Sequence, residues 1–355
     1  MSIRVAFVSV VPSPYQRDLF HSLAARQEVE LRVFYMEAAS PDSPWPEAPL
    51  AEYECVMPGR WFALGSARCH WHWPLPDLRA FDVVVLNTLT SSLTGQWLMR
   101  AGLRGRRWMF WGERLGRGGW LHERFTAPLH RAHGIAAIGS VAARDYAARF
   151  PEPRQFCIPY HCDLAPFLAA PRRERRAGEV VFLFCGQMIA RKGVDVLLDA
   201  FARLADGARL LLVGREAELP AMLAALPEAA RARVEYAGFQ PPDALPRFFA
   251  QADVFVLPSR YDGWGVVVNQ ALGAGLPIVC SDTVGAGHDL VADETNGLKF
   301  PSGDAAALAH CMQRFLDKPE LIAKWGDASR AKAQEYSPER GADKWVAALE
   351  EVCAR

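Results

Sequence analysis

Residues 254–282 read VFVLPSRYDGWGVVVNQALGAGLPIVCSD, and the rest of the chain falls into place around them. The apolar run Val254–Leu257 has the length and content of a buried parallel strand, and Pro258 ends it. A short loop, Asp262-Gly263-Trp264-Gly265, leads into a helical stripe of Val266, Gln270 and Gly273. A second apolar strand, Pro277–Cys280, closes the unit. Strand, glycine-rich loop, helix and strand in this order offer bare backbone N–H groups where a diphosphate can sit. Gly263 and Gly265 let the backbone approach a ligand closely. Asp262 and Gln270 are eight residues apart, about 12 Å along a helix, close to the polar length of a nucleotide sugar.

The alternation continues upstream. Val180–Cys185, Arg209–Val213 and Arg233–Ala237 read as strands, separated by helices at Val194–Leu204, Leu219–Leu226 and Leu245–Gln251. Downstream, Ala305–Phe315, Glu320–Gln334 and Pro338–Cys353 have helical periodicity. The first half repeats the scheme with strands at Ile3–Val10, Glu30–Tyr35, Asp82–Leu86, Arg107–Trp111, Ile135–Ile138 and Phe156–Pro159. A helix suits Asp18–Arg26, a Pro-rich loop Ser40–Pro49, and a Ser/Thr cap at Thr88–Thr94 precedes a helix near Gly95–Ala101. This is an α/β chain with parallel sheets covered on both faces. The charged stretch PRRERRAG, Pro171–Gly178, reads as a linker. The expected division is residues 1–170, a linker at 171–178, residues 179–335, and a C-terminal helix at 336–355 crossing back to the first domain.

With 355 residues, 51% of them hydrophobic, the chain can bury two cores. Lys+Arg and Asp+Glu are both 40, so global charge gives no reason to expect nucleic acid as a partner. The eight cysteines form no CxxC, and the chain opens on a strand with no signal peptide and no bilayer-length apolar run. A reducing, cytoplasmic setting is the expectation. Cys69, His70 and His72 crowd together, as do Cys157, His161 and Cys162, without zinc spacing; packing is expected rather than metal. No dinucleotide fingerprint, Walker A motif or D-x-D pair is present; Gly285-Ala286-Gly287 begins like G-x-G, but Leu290 stands where the third glycine belongs.

A second glycine-rich turn, Cys185-Gly186-Gln187-Met188-Ile189-Ala190-Arg191-Lys192-Gly193, precedes a helix and carries two cations able to neutralise a phosphate chain. Taken together, GQMIARKGVDVLLDAF, VEYAGF, ADVFVLPSRYDGWGVVVNQALGAGLPIV and NGLKF resemble the retaining glycosyltransferases of family 4 (glycosyl transferases group 1) over residues 180–300. The resemblance implies a GT-B fold: two Rossmann-like domains facing each other across a cleft. It implies a hexosyltransferase that is metal-independent and needs no cofactor. The donor would be a nucleotide sugar, a UDP-sugar before a GDP-sugar, and the acceptor a glycan, a lipid-linked sugar or a small molecule. Polysaccharide biosynthesis is one setting.

Residue roles follow by resemblance. The family's E-x7-E falls on Asp262, for donor-sugar hydroxyls, and on Gln270, for the ribose, where the second acid has become an amide. The backbone of Gly263, Trp264, Gly265 and Val266 would hold sugar and diphosphate. Lys192 matches the phosphate-binding lysine. Gly186-Gln187 replaces the usual Gly-Arg, leaving Arg191 as the substitute. Phe239 and Gln240 follow the strand where the base is read. In the first half the usual Gly-Gly is missing; Tyr15 and Arg17 stand in that loop on the acceptor side. Glu113 stands where the family has a histidine, to orient the acceptor or steady the transition state; a salt bridge to a nearby arginine is an equal alternative. His161 and Asp163 match the exit from the first domain and read as structural; His288-Asp289 reads as donor-side or as a helix cap. Trp97–Arg124 holds seven arginines and four tryptophans, a mixture suited to peripheral contact with the inner membrane face, a lipid-phosphate acceptor or sugar stacking. Two other readings stay open: a nucleotide-sugar epimerase on the same fold, and a non-catalytic nucleotide- or glycan-binding relative.

Overall fold

A computed structural model describes residues 2–39, 49–64, 67–87, 92–116 and 118–354. The expected loop at residues 40–48, the first part of the Ser/Thr cap at 88–91, and Arg117 lie outside the described residues. The chain divides into two compact units, residues 1–162 with 338–355, and residues 163–337.

In the first unit the strands are β1 (Ile3–Ser9), β2 (Val29–Tyr35), β3 (Glu54–Val56), β4 (Gly59–Leu64), β5 (Ala67–His72), β6 (Val83–Asn87), β7 (Trp108–Gly112), β8 (Gly134–Ala137) and β9 (Arg154–Cys157). Seven of them form one parallel sheet in the order β3-β2-β1-β6-β7-β8-β9. β4 and β5 form a separate antiparallel hairpin, with Trp61 opposite His70 and Arg60 opposite Trp71. The central strands are apolar on both faces, as strands covered by helices on both sides must be. The helix after β1 spans Pro14–Ala24, earlier than Asp18–Arg26, because Pro14 fits the first helical turn. The expected helix near Gly95 begins at Leu93, where the Ser92 hydroxyl accepts from the Gly95 N–H at 2.9 Å. The C-terminal helix Pro338–Cys353 belongs to this unit: Trp345 packs edge-on against Phe7 (centroids 4.9 Å apart) and Trp111 (5.4 Å).

The second unit contains β10 (Val180–Cys185), β11 (Ala208–Val213), β12 (Val234–Tyr236), β13 (Val254–Leu257), β14 (Ile278–Ser281) and β15 (Gly297–Phe300). They form a parallel sheet in the order β12-β11-β10-β13-β14-β15. The chain winds outward from β10 to one side and from β13 to the other. The switch point lies between those two strands, and in open α/β sheets the ligand crevice sits at the carboxyl ends there.

The charged stretch 171–178 lies inside the second unit, and the division falls between Cys162 and Asp163. Its first two arginines are not solvated. Arg172 donates to the Gly275 carbonyl at 3.1 Å, and Arg173 binds Glu179 at 3.1 Å and the buried Asp253. Phe167, upstream of that stretch, packs on Phe249 with centroids 5.2 Å apart. Composition shows the charges but not their partners.

Candidate active site

The loops after β10 and β13 meet at the switch point. Lys192 Nζ donates to Asp262 Oδ2 at 2.6 Å, with the two side chains 17% and 11% exposed. Arg191 donates to the Tyr261 carbonyl at 3.1 Å, and the Arg260 N–H to the Arg191 carbonyl at 2.9 Å. Gly193, at φ +71°, caps the helix Val194–Ala202; a Cβ there would stand 2.0 Å from the Pro258 carbonyl oxygen. The two loops therefore share one packed seam, and only glycine fits at its tightest point.

The 262–266 turn is braced from behind. The Gly285 N–H donates to the Asp262 carbonyl at 3.1 Å and the Ala286 N–H to the Trp264 carbonyl at 2.8 Å. The Ser281 and Thr283 hydroxyls both reach the Ser259 carbonyl, at 2.5 and 2.7 Å. Trp264 is fully buried, its indole N–H donating to Asn269 Oδ1 at 2.9 Å. Its side chain is core, so at Trp264 the turn offers a ligand its backbone alone. Gly265 holds φ +92°. Gln270 is half-buried on the helix Val267–Gly273, and its amide makes no hydrogen bond to a described residue.

The loop holding Gly186 and Gln187 is pinned to the neighbouring one: the Met188 N–H donates to the Arg215 carbonyl at 3.0 Å and the Ala190 N–H to Glu218 at 3.0 Å. Phe239 is 45% exposed, while the Gln240 amide is turned inward to the Ala237 carbonyl at 2.6 Å. His288 donates to the Asp282 carbonyl at 2.9 Å. Burial pushes the Cys185 and Cys280 thiols up to about 12, so both act as small apolar side chains.

In the first unit the acceptor-side residues separate. The Tyr15 ring meets Tyr160 edge-on at 4.8 Å, and the Tyr160 hydroxyl lies against Glu113 and Gln16. Burial first, then the Glu113 charge, drives that phenol well above its ordinary range. Tyr15 and Glu113 thus belong to one cluster, built on Tyr160. Arg17 turns elsewhere: its guanidinium meets Glu54 at 2.8–3.2 Å and the Pro49 carbonyl at 2.7 Å. Burial alone would raise the Glu54 carboxyl, but hydrogen bonds from Arg17, the Ala51 N–H and Tyr35 outweigh it and hold it below the usual range. Beside this, His70 binds Glu37 and His72 donates to the Met36 carbonyl at 2.8 Å, all in the interior. Among the described residues no group of three or more His, Cys, Asp or Glu is arranged to hold a metal.

The Arg/Trp stretch also divides. Trp108 and Trp111 are core, whereas Trp97 and Trp120 are 42% and 71% exposed. Arg100 and Arg106 are bonded to backbone carbonyls. Trp73, beyond the hairpin, is 64% exposed and meets Trp97 edge-on at 6.5 Å. Sequence reasoning missed this hairpin, as well as Tyr160, Gln16 and Arg260. Alternation in GRWFAL and ARCHWH was the available signal for the hairpin; the other three act through tertiary contacts that spacing does not reveal.

Residues 179–318 match the family model described as Glycosyl transferases group 1. The alpha-D-kanosaminyltransferase of Streptomyces kanamyceticus is 27% identical over 65% of this chain, and the match spans 57% of that protein's length. The D-inositol 3-phosphate glycosyltransferase of Segniliparus rotundus is 27% identical over 92% of this chain and 81% of its own. Among solved structures, the sucrose-phosphate synthase of Thermosynechococcus elongatus superposes with TM-score 0.77 at 21% identity, over 99% of both chains. Anabaena Alr3699/HepE, solved in complex with UDP, gives 0.74 at 16% identity over 98% of this chain and all of its own. These likenesses establish the GT-B fold expected from the sequence. The likeness to the glycosyl transferases group 1 family is carried by residues 179–318 of this chain.

Proposed function

We propose that the protein is a retaining, family 4 glycosyltransferase that moves a hexose-type sugar from a nucleotide diphosphate sugar, UDP first, to a glycan, lipid-linked or small-molecule acceptor. One observation carries the reading: Lys192 and Arg191 stand beside Asp262 at the switch point of the second sheet. Two cations of the chain itself can counter a diphosphate, and a carboxylate beside them can accept from sugar hydroxyls. Arriving donor takes over both halves of the Lys192–Asp262 pair, the phosphate claiming the ammonium and the sugar the carboxylate. In the reaction the bond from the anomeric carbon to the diphosphate oxygen breaks. The acceptor oxygen bonds that carbon on the same face, and its proton passes to the departing diphosphate. The protein's part is positioning and charge. The kinship with sugar-transferring relatives and the likeness to a fold solved with UDP support this.

The Tyr15–Tyr160–Glu113 cluster is the proposed acceptor side. The exposed indoles of Trp73, Trp97 and Trp120 favour peripheral contact with the inner membrane face from a cytoplasmic position. Among the described residues no helix is long and apolar enough to cross a membrane. Sedimentation with phosphatidylglycerol vesicles tests that contact; protein left in the supernatant at low salt rejects it.

Thermal-shift measurements with UDP, GDP, ADP and dTDP test the donor reading, because a ligand of the native state raises its apparent stability. UDP is expected to give the largest rise, and no rise with any of the four would overturn the proposal. Incubation with the nucleotide sugar alone then separates transfer from epimerisation, since an epimerase converts donor without acceptor.

A further inference from the structure

We propose that Arg260 is a positioning residue of the donor site, holding the Arg191–Lys192 turn against the Asp262 loop and countering the charge of Asp195. This rests on reading the site as one for a nucleoside diphosphate. Arg260 follows β13 and stands two residues before Asp262. Its guanidinium is the fastening between the loops: Nη1 donates to the Ala190 carbonyl at 2.5 Å and to Asp195 Oδ1 at 2.7 Å, and Nη2 to Asp195 Oδ2 at 2.6 Å. Its backbone N–H adds the 2.9 Å bond to the Arg191 carbonyl. One side chain thus fixes the residue before Arg191 and the first turn of the helix that begins after Gly193.

The charge balance gives this fastening a purpose. Residues 190–195 and 258–262 contain three cations, Arg191, Lys192 and Arg260, and two carboxylates, Asp195 and Asp262. Glu218, bonded to the Ala190 N–H, is a third carboxylate at the same place. With Arg260 the set is balanced; without it the set is anionic, and an incoming diphosphate meets an uncompensated Asp195 three residues beyond Lys192. The Arg260 and Asp195 side chains are 41% and 42% exposed. Ion pairs so open to solvent contribute little to global stability. A bidentate fork worth little to the fold, yet reaching from the Asp262 loop to the residues flanking Arg191 and Lys192, fits a role in ligand binding, and lysine cannot reproduce its geometry.

The experiment is calorimetric titration of wild type, Arg260→Ala, Arg260→Lys and the double variant Arg260→Ala with Asp195→Asn. The probes are UDP and uridine, or whichever other diphosphate of the four above wild type binds, with its nucleoside. Arg260→Ala is expected to weaken UDP binding about tenfold, the size of one charge at short range in a solvent-exposed site, and to leave uridine binding unchanged. Adding Asp195→Asn is expected to restore most of the loss, and Arg260→Lys to fall between. UDP affinity within twofold of wild type in Arg260→Ala overturns the role of Arg260 and leaves the donor reading standing. Equal losses for UDP and uridine mean a collapsed loop and also overturn it. A wild type that binds no diphosphate overturns both.

Discussion

At the carboxyl end of its sheet, the C-terminal unit carries Lys192, Arg191 and Asp262, the proposed donor residues, on loops that only glycine allows to meet. The N-terminal unit has the same kind of sheet but commits its charged groups to one another. Arg17 is bonded to Glu54, Glu54 to Tyr35, and Glu37 to His70. The two units are alike in topology and differ in which hydrogen-bonding valences remain available. Charge held by few partners on loops at a sheet's carboxyl end can be exchanged for a substrate. Charge that is buried and multiply bonded holds the fold, and removing a partner is costly.

The sharpest way to break this contrast is Lys192→Ala. If the lysine serves the departing diphosphate, kcat/KM should fall by about 10²–10³, the usual scale for losing one donor to developing charge. Because the Lys192 and Asp262 side chains are 17% and 11% exposed, urea unfolding of the variant is measured beside turnover, and the loss of transfer is read at a temperature where the variant is fully folded. A folded variant with unchanged turnover removes Lys192 from the mechanism. The mirror experiment is Arg17→Ala, which strands the Glu54 carboxylate inside the first unit. Stability should drop by about 3–5 kcal/mol in urea unfolding, with UDP affinity retained. A variant that lost turnover but kept its stability would make Arg17 a substrate residue instead.

A third test uses pH. His161 is fully buried, and burial, aided by the Lys344 charge, lowers its imidazole to about 4 while the Pro159 carbonyl accepts from Nδ1 at 2.7 Å. Between the ordinary value near 6.5 and 4, the unfolded chain binds the extra proton and the native state does not. The stabilisation is therefore fully present above about pH 6.5 and is lost as pH falls towards 4. It amounts to about 3 kcal/mol at most. His161→Gln should flatten unfolding midpoints over that window; an unchanged slope would assign it to other groups.

The fold and the second unit were legible because their signals are local. Strands such as Val254–Leu257 are apolar runs, and the residues proposed for the phosphate site sit in loops marked by glycine. The parts that were not legible depend on partners distant in sequence. Arg17 looked like an acceptor residue until Glu54, 37 positions away, claimed it. The stretch 171–178 read as a linker, but Arg172 and Arg173 anchor it on the Gly275 carbonyl and Asp253. Arg260 carried no pattern at all, since its meaning lies in Ala190 and Asp195, at least 65 positions upstream. Long cationic side chains are where sequence reading fails most, because their reach lets tertiary context choose the partner.

The smallest expected effect bears on Gln270, one of the positions where the proposed donor site departs from its family resemblance. Gln270 offers a ribose hydroxyl a neutral acceptor, and neutral hydrogen bonds contribute about 0.5–1.5 kcal/mol against about 1.5–3 for one to a charged group. The amide is half-buried and has no described hydrogen-bond partner, so a carboxylate there would break no internal bond. Gln270→Glu should therefore keep UDP affinity or raise it, by up to about tenfold, measured by titration beside uridine. The gain should appear with both, because it belongs to the ribose and not to the phosphates. That separates it from Arg260→Ala, whose loss should appear with the diphosphate alone. A large fall in affinity for both ligands would show that a carboxylate cannot be desolvated at this position, and would take the ribose away from Gln270.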